Sequence, residues 1–478
     1  MMRRVSAPNE LPAAELAEAY ARGTLSPVEA VQACLARVEA CEPALNAMYR
    51  VHADDALAAA RAAEARWRTG QPLSPLDGVP VTVKENIHTR GVPSPIGTQA
   101  NEDAPPQAED APPAARLREA GCVILGKTTM PDYGMLSSGV SSLHGTTRNP
   151  WRLDRNPSGS SSGAAAAAAA GYAPLHLGTD IGGSIRLPAA HCGVFGLKPS
   201  LGRVPIYPPY IGRVVGPMTR DVGSAAMLLS VLARPDARDF MSLPYEARDY
   251  TSELERFEPR GLRVGLLLEA GGGLAVRSDV RAAVQEAARA LEQAGSVIEP
   301  VARWLPPEVY DGMGRFFEAR LYADFSRLPP ERQARVLAFI AEWCTWRAST
   351  FSGRDVMDAY HAYLAMREGT LAATARFDYV LAPVSPIVAY EAELPSPTND
   401  PRNAFPHILF TLPFNMSEQP AASVNWTWSA EGLPIGVQAI GRRFDDAGVL
   451  GLARFLEKAR PPQRPWPASF GRPTQPGA

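Results

Sequence analysis

Four of the 48 basic residues are lysine, namely Lys84, Lys127, Lys198 and Lys458, and the rest are arginine. Lysine can lose its proton when desolvated and arginine effectively cannot, so each lysine is a candidate base until its setting decides. Lys84 closes the alternating run Val79-Pro-Val-Thr-Val-Lys and so projects from a strand end among apolar neighbours. Burial there lowers its pKa from about 10.4 and makes a neutral amine available near pH 7. The alternative is a snorkelling lysine that only covers apolar surface.

Two serine-bearing stretches supply candidate nucleophiles. Gly159-Ser160-Ser161-Ser162-Gly163 matches the nucleophile elbow G-x-S-x-G with Ser161 at its centre. That motif needs a strand directly before the serine, and residues 151–158, with Asn156, Pro157 and two arginines, do not form one. It also needs a later histidine, from His176, His191, His361 or His407, of which His407 is the least unsuited. Serines here also suit the N-terminus of the helix Ala164–Ala170. In Gly178-Thr-Asp-Ile-Gly-Gly-Ser184-Ile-Arg186-Leu-Pro-Ala189, two adjacent glycines precede a serine. Such a turn lets several N–H groups converge on one point, which suits an oxyanion, although a tight connection would use the same residues. Gly121–Thr128 satisfies the P-loop expression, but its variable positions are apolar strand residues and Pro131 bars an early helix turn. Nucleotide binding is not expected.

The elements that must hold these residues read as α/β. Residues 10–70 are helical, with a capping box at Ser26–Glu29. Short apolar runs at 79–83, 122–125, 175–177 and 194–197 then alternate with helical segments such as 112–120. A second β-α-β pattern spans 263–268, 278–294 and 297–301, with 235–261 as a surface crossover. Residues 305–375 read as helical and aromatic-rich, late strands fall at 379–382 and 435–440, and 461–478 is an extended, proline-rich tail. The division is a helical region 1–70, a catalytic domain 71–460 and that tail.

Composition narrows the function classes. Forty-eight basic against 50 acidic residues give a net charge of -2, no footprint for nucleic acid or an anionic membrane. Five cysteines with no C-x-x-C pair fit a reducing compartment. Arg3 and Arg4 are followed by no apolar h-region, so a cytoplasmic protein is expected.

Taken together, the lysine and serine segments resemble the amidase signature family, whose hydrolases use a Ser-cisSer-Lys triad. Gly78-Val-Pro-Val-Thr-Val-Lys84-Glu-Asn86, Pro157–Gly163 and Gly178–Ala189 carry the likeness, and Ser160 and Ser184 keep the family's interval of 24 positions. Gly193–Pro199 and Gly432–Gln438 extend it over about residues 10–460. The resemblance implies an α/β/α fold with a large mixed, mainly parallel sheet covered by helices on both faces. It assigns Ser184 as nucleophile, Ser160 as a relay preceded by a cis peptide, and Lys84 as base. The N–H groups of Ile181, Gly182, Gly183 and Ser184 would hold the oxyanion, with Ser161, Asp180 and Arg186 in support. Tyr133, Ser137 and Trp426 are candidate substrate contacts. Ser158 and Ser162 replace family glycines, as does Glu418, which is expected near the acyl pocket.

The implied activity is hydrolysis of a C–N bond in small amides, aryl amides or carbamates (urethanes), with esterase side activity. No metal or cofactor is required, and the expected partner is a small amide or carbamate, on a monomer or homodimer. A glutaminase subunit of a tRNA-dependent amidotransferase shares the signature, but residues 205–212 lack the tyrosine-rich loop such subunits usually carry.

Overall fold

Short apolar runs become buried strands when both faces of a sheet are covered, because alternation is then not needed to keep one face wet. The computed structural model, which describes residues 7–470, shows this in thirteen strands. They are β1 (Met48–Val51), β2 (Pro80–Lys84), β3 (Val123–Thr128), β4 (Val140–Ser141), β5 (Gly145–Thr146), β6 (Leu175–Asp180), β7 (Phe195–Lys198), β8 (Val214–Thr219), β9 (Arg263–Leu266), β10 (Val297–Pro300), β11 (Tyr379–Pro383), β12 (Ala421–Trp428) and β13 (Pro434–Gly441). Eleven form one sheet in the order β1-β3-β2-β6-β8-β7-β12-β13-β11-β9-β10, and β4 and β5 form a separate hairpin. Every residue of β2, β3, β6, β7 and β8 is buried.

The α/β class expected from the sequence holds, but the balance of the sheet differs. Only β2–β3, β2–β6, β9–β10 and β9–β11 pair in parallel, while the other six neighbour pairs run antiparallel. The reason is local: β12 returns directly as β13 through a turn at Ser429–Leu433, which needs no crossover helix. Region 1–70 is not purely helical either, since β1 forms the sheet edge against β3.

The helix Ser162–Ala170 is buried at every position. A helix that is apolar all round must be packed all round. Ala166, Ala167 and Ala170 meet Val38, Leu45 and Tyr172, whereas Ala164, Ala165, Ala168 and Ala169 meet Ile185, Ala189 and Met218. Alanine lets the helix pass between two layers, so the serines at its start are fixed from both sides. The capping box at Ser26 is present, closing the helix Pro27–Leu45. The 305–375 region forms helices Pro307–Phe325, Ala338–Thr345 and Gly353–Thr374, joined in one apolar cluster with residues near the strand ends. No helix among the described residues is long and apolar enough to cross a membrane. All five cysteines are buried and unpaired. Arg3, Arg4 and residues 471–478 lie outside the described residues.

Candidate active site

Parallel pairing of β2 with β6, with Val83 opposite Leu177, brings the C-terminal ends of both strands to one edge. Lys84 is the last residue of β2, fully buried. Its Nζ lies 2.8 Å from Ser160 Oγ, 2.9 Å from Thr179 Oγ1 and 3.1 Å from Ser161 Oγ. Burial pushes its pKa well below 10.5, against the upward pull of Asp180 and Glu85 and with a smaller downward push from Arg213. Burial favours the uncharged amine, the form that can accept a proton from a hydroxyl.

Hydrogen-bond accounting shows where that lone pair points. Ser161 Oγ donates to the Thr179 carbonyl at 3.2 Å, so toward Lys84 it acts as acceptor. It also accepts from the Thr179 N–H at 3.2 Å. Ser160 Oγ has no partner besides Lys84 among the described residues. Two hydroxyls are therefore free to donate to the amine, that of Ser160 and that of Thr179, whose Oγ1, among the described residues, otherwise only accepts from Asn86 Nδ2 at 3.3 Å; of the two, Ser160 is the one that borders the pocket. The peptide before it, Gly159–Ser160, is cis.

Ser184 sits in the turn between β6 and the helix Arg186–Cys192 and is half-buried at a pocket floor. Its carbonyl accepts from the Ser161 N–H at 3.2 Å, which ties the two serine segments together. The hydroxyls of Ser160 and Ser184 are not hydrogen-bonded to each other; such contacts often tighten only with substrate bound. Ser160 Oγ nevertheless faces the same space, since a Cβ on pocket residue Gly134 would lie 3.4 Å from it.

Asp180 shapes the turn. Its carboxylate accepts from the N–H groups of Gly183 (2.7 Å) and Ile185 (3.1 Å), from Arg186 Nε and Nη2 (both 3.0 Å) and from Asn415 Nδ2 (2.8 Å). Burial drives its pKa upward, but the charge of Arg186 and these hydrogen bonds outweigh it and hold the carboxyl below its ordinary 3.8. Arg186 also donates to Gln438 Oε1 at 2.6 Å, to the Thr411 carbonyl at 3.1 Å and to Asn415 Oδ1. One expected oxyanion donor is thereby withdrawn: the Gly183 N–H is committed to Asp180. The N–H groups of Ile181, Gly182 and Ser184 have no partner among the described residues and remain available. Gly183 is required for another reason. Its φ is +127°, and a Cβ there would approach Thr411 Oγ1 to 2.4 Å.

The pocket above Ser184 is open to solvent and is lined by Gly134–Ser137, Ile181, Gly182, Phe317, Phe405 and Ile408. Ser137 is one of the lining residues. Tyr133 does not line this pocket; it packs against the helical cluster beside it with a buried, unpartnered hydroxyl. Trp426 is elsewhere. It belongs to the main core, with its indole N–H directed at Glu286 at 3.4 Å, because its position on β12 faces the helix Ser278–Gln293. Glu418 is also displaced from the pocket, paired with Arg367 and Arg443. Both Glu418 (φ +67°) and Ser158 (φ +65°) adopt the left-handed backbone that favours glycine, which explains the glycine expected there.

The elbow alternative fails on geometry. Ser161 Oγ is held by Lys84 and Thr179, and both ring nitrogens of His407 and of His191 are buried without partners. Burial lowers the His407 pKa to about 3, so it is a neutral core residue. The P-loop-like Lys127 lies within β3, donating to the Ile87 carbonyl and to Thr89 Oγ1. Sequence reasoning missed Thr179, although it stands inside the quoted Gly178–Ala189 segment, and Asn415. It also missed Phe405 and Ile408, which carry no local signal.

The chain is similar over almost its whole length to known enzymes. It is 37% identical over 475 residues to a Glutamyl-tRNA(Gln) amidotransferase subunit from Myxococcus xanthus (strain DK1622), covering 93% of this chain and 96% of that one. A bacterial aryl acylamidase of the amidase signature enzymes superposes with a TM-score of 0.86 at 30% identity, covering 94% of this chain and 96% of that one. The native peptide amidase from Stenotrophomonas maltophilia gives a TM-score of 0.83 at 28% identity, covering 96% and 98%. The Amidase family model matches residues 29–450. A buried lysine at a strand end, two serine turns tied by the bond from the Ser161 N–H to the Ser184 carbonyl, and this likeness lead to one conclusion: the chain belongs to the amidase signature family and is an amidohydrolase acting on C–N bonds.

Proposed function

We propose that the protein is a free-standing amidase hydrolysing small amides, with aryl amides and carbamates as the first substrates to test and esters as a side activity. Neutral Lys84 takes the proton of Ser160 as Ser160 takes that of Ser184, and Ser184 attacks the carbonyl carbon. The N–H groups of Ile181, Gly182 and Ser184 stabilise the oxyanion. As the tetrahedral intermediate collapses, the proton returns along the same hydroxyls to the leaving amine. Water then cleaves the acyl-Ser184 ester by the reverse route. The observation that carries this reading is the buried Lys84 amine at 2.8 Å from Ser160 Oγ, with Ser160 bordering the pocket that holds Ser184.

The apolar lining by Phe317, Phe405 and Ile408 supports an apolar group next to the scissile carbonyl. A panel of anilides, primary amides, carbamates and 4-nitrophenyl esters, read by amine or phenol release, tests the proposal. Turnover of at least one amide or carbamate is expected; turnover of esters alone would overturn it.

A second reading, the glutaminase subunit of a tRNA-dependent amidotransferase, is favoured by the 37% identity to the Myxococcus xanthus protein. Ammonia release from glutamine, with size exclusion in the presence of partner subunits, separates the two. A free-standing amidase acts on the panel as isolated chain and shows no partner-dependent glutaminase activity.

A further inference from the structure

Two arginines beside the catalytic pocket have no counter-ion. Arg213 and Arg320 flank the ring of Tyr210, with guanidinium carbons 6.0 and 4.0 Å from its centroid. Those two distances cap the separation of the guanidinium carbons at 10 Å. Neither makes an ion pair with a described residue. Arg213 donates to the Pro208 carbonyl, and the nearest polar partner of Arg320 is Met135 Sδ at 3.8 Å.

The carboxylates close enough to be felt are otherwise engaged. Asp239 accepts from the N–H groups of Ile206 and Met241, and Asp324 faces Arg327 at 4.0 Å. Burial lowers the pKa of Arg213 to about 10, and the charge of Arg320 adds to that shift. Burial also lowers Arg320. Two half-buried like charges that repel each other are stabilised by an anion that completes the group.

Both lie behind residues that line the pocket, without lining it themselves. Arg320 is one helical turn from the pocket residue Phe317, on the same face of the helix Pro307–Phe325, and touches pocket residue Met135. Arg213 follows Gly212, whose Cβ position lies 3.8 Å from the side chain of pocket residue Ile181.

We propose that Arg213 and Arg320 form an anion subsite that selects amides bearing a carboxylate on the acyl portion, a few bonds from the scissile carbonyl. The inference rests on the amidase reading above and names its substrate class. Tyr210 holds the Arg320 guanidinium in place by stacking. The apolar lining between subsite and nucleophile accommodates the methylene chain.

The test uses paired 4-nitroanilides: the mono-anilides of succinate, glutarate and adipate against the butyryl, valeryl and hexanoyl anilides. At one acyl length or more, the wild-type enzyme is expected to favour the anionic member in kcat/KM by about 10-fold or more, an advantage that shrinks with added salt. In Arg320→Met and Arg213→Met the ratio within each pair falls toward one. Preference for the neutral member at every length, or an anionic preference that survives both substitutions, overturns the proposal. Free glutarate binding to Ser184→Ala, measured calorimetrically, reads the subsite without turnover or an arginine variant. Failure of all six anilides with glutarate still bound counts against the amidase reading only. No binding at about 10 mM glutarate, weaker than any useful subsite, overturns the anion site itself.

Discussion

The floor and the cover of the pocket are built on opposite physical terms. The floor, at the ends of β2 and β6, is polar and largely buried: Lys84 faces three hydroxyls, and Asp180, Arg186, Asn415 and Gln438 satisfy one another. The cover is apolar and held by ring contacts, with Phe405 edge-on to Phe317 at 6.1 Å and to Trp343 at 4.9 Å. A buried polar network tolerates little change because each member satisfies another. Aromatic packing tolerates changes of size with a graded cost. On the proposed mechanism the floor sets the reaction and the cover sets which acyl groups enter.

Lys84→Ala should break the floor most severely. It removes the base and leaves three hydroxyls around a void, so kcat is expected to fall by about 10⁴-fold or more, with circular dichroism unchanged. Asp180→Asn comes next. It leaves the Arg186 guanidinium without its charge partner, and breaking such a buried pair costs about 3–5 kcal/mol. A large drop in denaturation midpoint should accompany the loss of activity, whereas Lys84→Ala, which strands hydroxyls but no charge, should lose activity with a smaller drop.

The cover should respond differently. Phe405→Ala enlarges the pocket and is expected to shift kcat/KM toward longer acyl groups by about 10-fold, with kcat on short anilides changed less. Trp426→Phe, remote from the pocket, should leave KM within about 2-fold, since it alters core packing only. If Trp426→Phe reordered acyl preference and Phe405→Ala did not, the division into floor and cover would be wrong.

The smallest effect separates the buried lysines from one another. Burial lowers Lys127 and Lys198 to about 7, but they donate to backbone carbonyls or a threonine outside the pocket, so they carry stability and not chemistry. A base with a depressed folded pKa binds fewer protons than its unfolded counterpart, so stability rises with pH from about 7 toward 10.5. Buried thiols act in reverse: Cys34 and Cys122 are pushed up to about 12, so unfolded thiols ionise first above about 9. Stability should climb from pH 7 to about 9 by on the order of 1 kcal/mol per pH unit for each lysine, read as a rising thermal midpoint, and turn over between about 9 and 10.5, where thiol ionisation in the unfolded chain overtakes the lysines. Activity should instead fall only below the lower pKa of Lys84, where the protonated amine can no longer accept.

Strands with uninterrupted apolar runs, such as β2, β3 and β6, were legible in the sequence. β8 was not, because Gly216 and Pro217 lie inside it, opposite Gly178 and Leu177 of β6, and a proline argues against a central strand. The floor was legible because its chemistry is written in contiguous segments around Lys84, Ser160 and Ser184. The cover was not: Met135, Phe317 and Phe405 meet only through tertiary packing, and an aromatic residue looks alike in sequence whether it lines a pocket or fills a core, as Trp426 does. The commitment of the Gly183 N–H to Asp180 is likewise a matter of turn geometry that residue identity does not specify.

The central claim is that Ser184, with its proton withdrawn through Ser160 to neutral Lys84, becomes acylated. Rapid acid quench of the enzyme during turnover of a 4-nitrophenyl ester or anilide, followed by peptide mass spectrometry, tests it directly. The account predicts an acyl mass increment on the peptide containing Ser184 and its absence in Lys84→Ala. An increment on Ser160 or Ser161, or undiminished acylation in Lys84→Ala, would contradict it.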